Sequence, residues 1–160
     1  MNEPMFRQKI RTTVNGGAVE REVPVRQTLA DFLRDDLGLT ATRLGCEHGV
    51  CGACTVMLDG VSVRSCLMLA VQADGAELET VEGLAQDGAM SPIQQAFWDN
   101  HALQCGFCTS GFLMTAADLA RQNLETDEMR IRDALSGNLC RCTGYANIVD
   151  AIAAVLEKKP

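Results

Sequence analysis

Eight cysteines in two sets of four constrain this chain more than any other feature. Cys46, Cys51, Cys54 and Cys66 form one group; Cys105, Cys108, Cys140 and Cys142 form the other, and the long stretch between them holds none. Eight disulfide-forming cysteines could pair in 105 ways and would need no such grouping. Their density is below the roughly 8–10% of a short disulfide scaffold. The start, Met1 to Arg7, lacks a basic region followed by an apolar run and has no twin arginine. The expectation is therefore a cytoplasmic protein whose thiols are reduced and kept for metal or redox chemistry.

Composition narrows the class. With 160 residues, 47% of them hydrophobic and 22% charged, the chain can bury one core or two small ones and is not disordered. No stretch approaches the ~18–20 apolar residues of a membrane span. A net charge of -7, from 21 acidic and 14 basic side chains, would repel a phosphate backbone and argues against nucleic acid as a partner.

The first half reads as short strands and one helix. Phe6, Ile10, Thr12 and Val14 alternate with polar residues, Asn15-Gly16 marks a hairpin turn, and Val19 to Val25 continue the alternation. Pro24 cannot donate to a ladder and belongs on a free edge. Thr28 and Asp31 form an acidic capping box for a helix with Leu29, Phe32, Leu33 and Leu37 on one face, ended by Gly38. Thr55–Leu58 and Val61–Arg64 flank the turn Asp59-Gly60.

Beyond Gly83 the period becomes helical. Ser91-Pro92-Ile93-Gln94 combines an N-cap, a first-turn proline and a capping-box glutamine. Stripes at Ile93–Phe97, Phe112–Ala120, Ile131–Leu135 and Tyr145–Leu156 predict four helices in a bundle. Asp74–Met90 reads as the connection. The expected division is residues 1–82 and 83–160.

The spacing Cys46-x4-Cys51-x2-Cys54, with Cys66 following, is that of a plant-type [2Fe-2S] ferredoxin loop. Gly45, Gly49 and Gly52 would let backbone amides close round an anionic cluster. A zinc site is the competing reading, but zinc usually takes two short Cys-x2–4-Cys knuckles. Cys105-x2-Cys108 and Cys140-x-Cys142 are less specific: alone they could be a redox pair, a zinc site or an iron–sulfur site. Their place at turns between helices would bring helix starts to an anionic cluster.

Taken together, the ferredoxin-type loop and the segments Leu-Gln-Cys-Gly-Phe-Cys-Thr-Ser-Gly and Gly-Asn-Leu-Cys-Arg-Cys-Thr-Gly-Tyr resemble the small iron–sulfur subunit of the xanthine oxidase family of molybdenum hydroxylases, from about Phe6 to Leu156. The resemblance implies an α+β chain: a β-grasp ferredoxin domain, then a four-helix bundle, each holding one [2Fe-2S] cluster. It implies that Gln104 and Cys142 lie against the molybdopterin of a large partner subunit. It further implies a medium FAD subunit and a dimer of heterotrimers. Electrons would pass singly from the molybdopterin site through both clusters to the flavin during oxidative hydroxylation of an N-heteroaromatic, an aldehyde, a purine or carbon monoxide. No catalytic residue of its own is expected. The chain departs from the family pattern at Ser110, where many members have proline; serine there is expected to cap the following helix. The competing functions are a two-zinc interaction module and a free-standing ferredoxin.

Among other residues, His48 and His101 are expected near the surface and at a helix end. Trp98 and Tyr145 are expected in packing roles. Arg141 could face a partner or solvent, and Lys158 and Lys159 are expected as a solvated tail.

Overall fold

The computed structural model describes residues 6–85, 87–122 and 127–156; Lys158 and Lys159 lie outside them. The two hairpins form where their turns demand. β1 (Arg7–Val14) and β2 (Gly17–Pro24) pair antiparallel, as do β3 (Thr55–Leu58) and β4 (Val61–Arg64). Asn15 and Asp59 sit at φ 50° and 49°, each followed by a glycine near 80°, the left-handed pair that matches strand twist. Ile10, Thr12 and Val14 point inward, whereas Phe6, ahead of the strand, is 78% exposed and not part of the core. Pro24 lies on β2, at the edge of the sheet order β2-β1-β5-β3-β4.

The middle strand is a correction to the sequence reading. β5 (Glu77–Glu79) falls inside the stretch expected to be a connection, runs parallel to β1 and antiparallel to β3, and joins the two hairpins into one sheet. Three residues with one apolar side chain show no period. What holds them is Leu78, fully buried and worth about 1.5–3 kcal/mol, together with the two turns. Asn15 Oδ1 accepts the Thr80 amide at 2.8 Å, and Asp59 Oδ1 accepts the Glu77 amide at 2.8 Å. Each turn residue thus ties down one end of β5.

α1 (Leu29–Asp31) starts at Thr28, whose hydroxyl accepts the Asp31 amide at 3.0 Å and donates to the Asp31 carboxylate at 2.7 Å. The helix does not run on as expected. It widens into one π turn over Phe32–Asp36, closed by the Leu37 amide on the Phe32 carbonyl, while Leu29, Phe32 and Leu33 stay buried. Thr28→Ala is expected to lower stability by about 1 kcal/mol, read from the denaturation midpoint of the metal-loaded protein.

Among the described residues four α-helices follow: α2 (Pro92–Asp99), α3 (Thr109–Arg121), α4 (Glu128–Ala134) and α5 (Tyr145–Leu156). α2 has the expected capping box, with the Ser91 amide donating to Gln94 at 2.8 Å. α3 is buried almost all round, from Ser110 to Ala117, as befits a central helix. Ser110 does not cap it. Cys108 stands at the N-cap, and Ser110 is already inside the first turn, its hydroxyl facing the Ala53 carbonyl at 3.5 Å. Trp98 is 64% exposed, because Phe97, one residue and about 100° away, takes the inward face of α2.

Two cores result. Ile10, Leu29, Phe32, Val56 and Leu78 fill the one between sheet and α1; Phe97, Phe112, Met114, Ile148 and Ile152 fill the one among the helices. β3 serves both. Its Val56 enters the first core and its Met57 the second, since successive strand residues face opposite sides.

Candidate metal centres

The first cysteine loop, residues 45–54, ends at β3, and Cys66 follows β4 in a short 3₁₀ turn. The hairpin therefore carries Cys66 back to Cys54, and Ala30 of α1 packs behind both. Cys108 heads α3, Cys105 lies in the turn before it, and Cys140 and Cys142 lie in the turn before α5. Tyr145, the first residue of α5, holds that turn: its hydroxyl accepts the Cys140 amide at 2.8 Å while its ring meets Phe112 edge-on, centroids 6.1 Å apart. Packing is thus one part of its role.

Within each set the thiols stand in pairs. The Cys51 amide donates to Cys46 Sγ at 3.3 Å, and these two residues are half-buried. The Cys46 thiol is lowered to about 6, chiefly by the His48 amide, with the Cys51 and Val50 amides adding. Cys54 and Cys66 form the inner pair. Burial pushes the Cys66 thiol up to about 11, and the Cys54 thiol beside it acts in the same direction. The second set repeats the arrangement. Cys105, exposed, is lowered by the Phe107 amide and by the adjacent Cys142 thiol. Cys108 is pushed up to about 12 by burial and by the adjacent Cys140 thiol.

This chemistry suits a two-iron centre in each set, which Cys46, Cys51, Cys54 and Cys66 would hold in the first and Cys105, Cys108, Cys140 and Cys142 in the second, supplying thiolate sulfur to iron. Cys66 and Cys108 resist ionising where they are buried beside Cys54 and Cys140, and a bound cation would offset that cost. Backbone amides aimed at the outer sulfurs provide the donors an anionic cluster needs.

The two sets open on one cavity of about 740 Å³, lined by Cys46 and Cys51 on one side and by Cys105, Cys108 and Cys140 on the other. Phe107 lines it too, its ring packed over Gly45. Two smaller depressions, of about 320 and 310 Å³, lie on the β1–β2 hairpin and hold no cysteine. The Leu139 amide donates to the Cys51 carbonyl at 2.9 Å, so one hydrogen bond links a ligand of the first set to the neighbour of Cys140.

The remaining candidates fall into place. Gln104 is exposed, its amide nitrogen set beside Gly144, two residues after Cys142 in the chain. His48 is exposed and directs Nδ1 to the Cys46 carbonyl, away from any ligand role. His101 is exposed in the turn that ends α2, and exposed Arg141 reaches the cavity rim. The sequence reading quoted Asn138 within a motif but gave it no role. Asn138 is 2% exposed, and its only signal in the sequence is a polar side chain beside a ligand.

Residues 12–85 match the 2Fe-2S iron-sulfur cluster binding domain family, and residues 80–153 match the [2Fe-2S] binding domain family. The chain is 58% identical to the caffeine dehydrogenase subunit gamma of Pseudomonas sp. strain CBB1, over 91% of this chain and 89% of that one. It is 56% identical to the nicotine 6-hydroxylase small subunit of Paenarthrobacter nicotinovorans, over 93% and 90%. Among solved structures, quinoline 2-oxidoreductase from Pseudomonas putida 86 superposes with a TM-score of 0.91 at 50% identity, over 94% of each chain. Aldehyde oxidoreductase from Desulfovibrio gigas superposes at 0.87 with 41% identity, over 96% of this chain but 18% of the longer one.

Proposed function

Because the chain belongs to the small iron–sulfur subunits of the xanthine oxidase family, we propose that it is the electron-transfer subunit of a molybdenum hydroxylase complex whose substrate is an N-heterocycle. When bound, a [2Fe-2S] centre takes up and releases one electron, so two of them divide a two-electron oxidation into single steps. The observation that carries the reading is that both cysteine sets reach one cavity, lined by Cys46 and Cys51 from the first and by Cys105, Cys108 and Cys140 from the second.

The chain's residues have separable tasks. The cysteine pairs bind iron, the Val50, Cys51 and Phe107 amides stabilise the outer sulfurs, and burial of Cys54, Cys66 and Cys140 keeps water from the inner ones. Gln104 offers both a donor and an acceptor. With Cys142 it forms the corner toward the molybdopterin of a large subunit. The exposed tip Glu47, His48 and Val50 faces the acceptor, a medium FAD subunit in a dimer of heterotrimers. The sheet with α1 is the β-grasp domain, and α2–α5 form the four-helix bundle. None of the described helices is long and apolar enough to cross a membrane, which accords with a cytoplasmic complex. The substrate class follows from relatives named for caffeine, nicotine and quinoline.

Protein purified without air should contain about four irons and four acid-labile sulfides per chain. Two zincs and little iron would overturn the reading.

A further inference from the structure

The two ligand loops are fastened together by contacts that ligand binding does not require. Between Cys51 and Cys54, the Gly52 carbonyl accepts the Thr55 hydroxyl at 2.5 Å and faces the Asn138 amide nitrogen at 3.4 Å. Asn138 Oδ1 accepts the Thr115 hydroxyl of α3 at 3.1 Å. Arg64 donates to the Gly137 carbonyl at 2.9 Å, and the Leu139 amide reaches the Cys51 carbonyl. On α3, Gly111 touches the same strip: a Cβ there would fall on the Gly52 carbonyl oxygen and against Ala53. The segment leading into Cys140 and the turn following Cys108 are therefore both anchored to the stretch between two ligands of the first set. Burying an amide side chain is costly unless its groups are paired. Here the pairs run across the junction of the two cores.

We propose that Asn138 and Gly111 are positioning residues that hold the two [2Fe-2S] centres at a fixed separation. The inference rests on the reading that each cysteine set holds such a centre. Gly111 allows the backbone of α3 to approach Gly52, and Asn138 ties that approach to the Cys140 segment. Without either one, the stretch between Cys51 and Cys54 loses its close fit to α3 and to the Cys140 segment. That leaves the Leu139, Arg64 and Ser110 contacts and Met57 of β3 to join the two sets, which can then shift against each other. Electron transfer between centres falls steeply with distance, so this junction sets the rate of passage through the subunit.

The test uses the full chain loaded with iron and sulfide, reduced completely and examined by electron paramagnetic resonance. Wild-type protein should show two signals broadened or split by coupling between the centres. Gly111→Ala and Asn138→Leu should keep both signals, their g-values and the iron content, but lose much of the mutual coupling. Asn15→Ala, which loosens the sheet far from the junction, should lower stability and leave the coupling intact. Two signals with wild-type coupling in both junction variants would overturn the inference, as would a wild-type protein whose signals do not interact. Failure of the wild type to hold two centres would instead overturn the reading of the sites. Should either variant not assemble, Thr115→Val removes the hydroxyl that Asn138 Oδ1 accepts, together with that hydroxyl's bond to the Gly111 carbonyl within α3. A weaker loss of coupling there supports the proposal, and unchanged coupling overturns it.

Discussion

Cys140→Ser is expected to halve the iron, from about four to about two per chain, while the signal of the Cys46–Cys66 centre survives. Cys140 is buried beside Cys108, whose thiol is raised to about 12 by burial and by that neighbour. A serine there leaves an iron pair incomplete in a pocket that disfavours charge. The loss should spread. The helical half gathers its ligands from two turns far apart in sequence, so metal binding contributes to its folding. Amides of α2, α4 and α5 should exchange faster with solvent. The first half has its own core of Ile10, Leu29, Phe32, Val56 and Leu78 and should stay protected. Equal loss of both signals would refute the division proposed at residues 82 and 83.

Gly52→Ala is expected to destabilise the loaded protein by about 2–5 kcal/mol. Gly52 lies at φ 73°, where a side chain costs about 1–2 kcal/mol. A Cβ there would stand 2.5 Å from the Gly137 carbonyl oxygen and 2.7 Å from the Asn138 amide. Backbone cannot swing aside as a flexible side chain does, so overpacking adds about 1–3 kcal/mol. Gly16→Ala is the control, since Gly16 has φ 79° but open space around it. It should show the conformational cost alone. Denaturation midpoints of the two variants, compared at equal iron content, test the difference; equal losses would mean that the contact with Gly137 costs nothing.

The elements that could be read directly are those whose signal is local. Asn15-Gly16 and Asp59-Gly60 announce their turns, and Ser91-Pro92-Ile93-Gln94 announces α2, because φ preferences and caps act within four residues. The features that could not be read depend on residues far apart. β5 is a strand because two turns and Leu58 receive it. The exposure of Trp98 follows from the inward turn of Phe97, and Ser110 lost its capping role because α3 begins two residues earlier than a serine cap there requires.

By itself, the sequence determined that this chain carries two sets of four cysteines at fixed spacings, the first among short strands and the second among helices. Ligand spacing within a loop is a property of the covalent chain, and no fold can alter it. Only the tertiary structure decided which thiols pair, that both sets open on one cavity, and that Gly52, Gly111 and Asn138 lock them together. The Asn138–Gly52 hydrogen bond alone joins residues 86 positions apart. Such relations arise from burial and close backbone approach, which no short window of sequence contains.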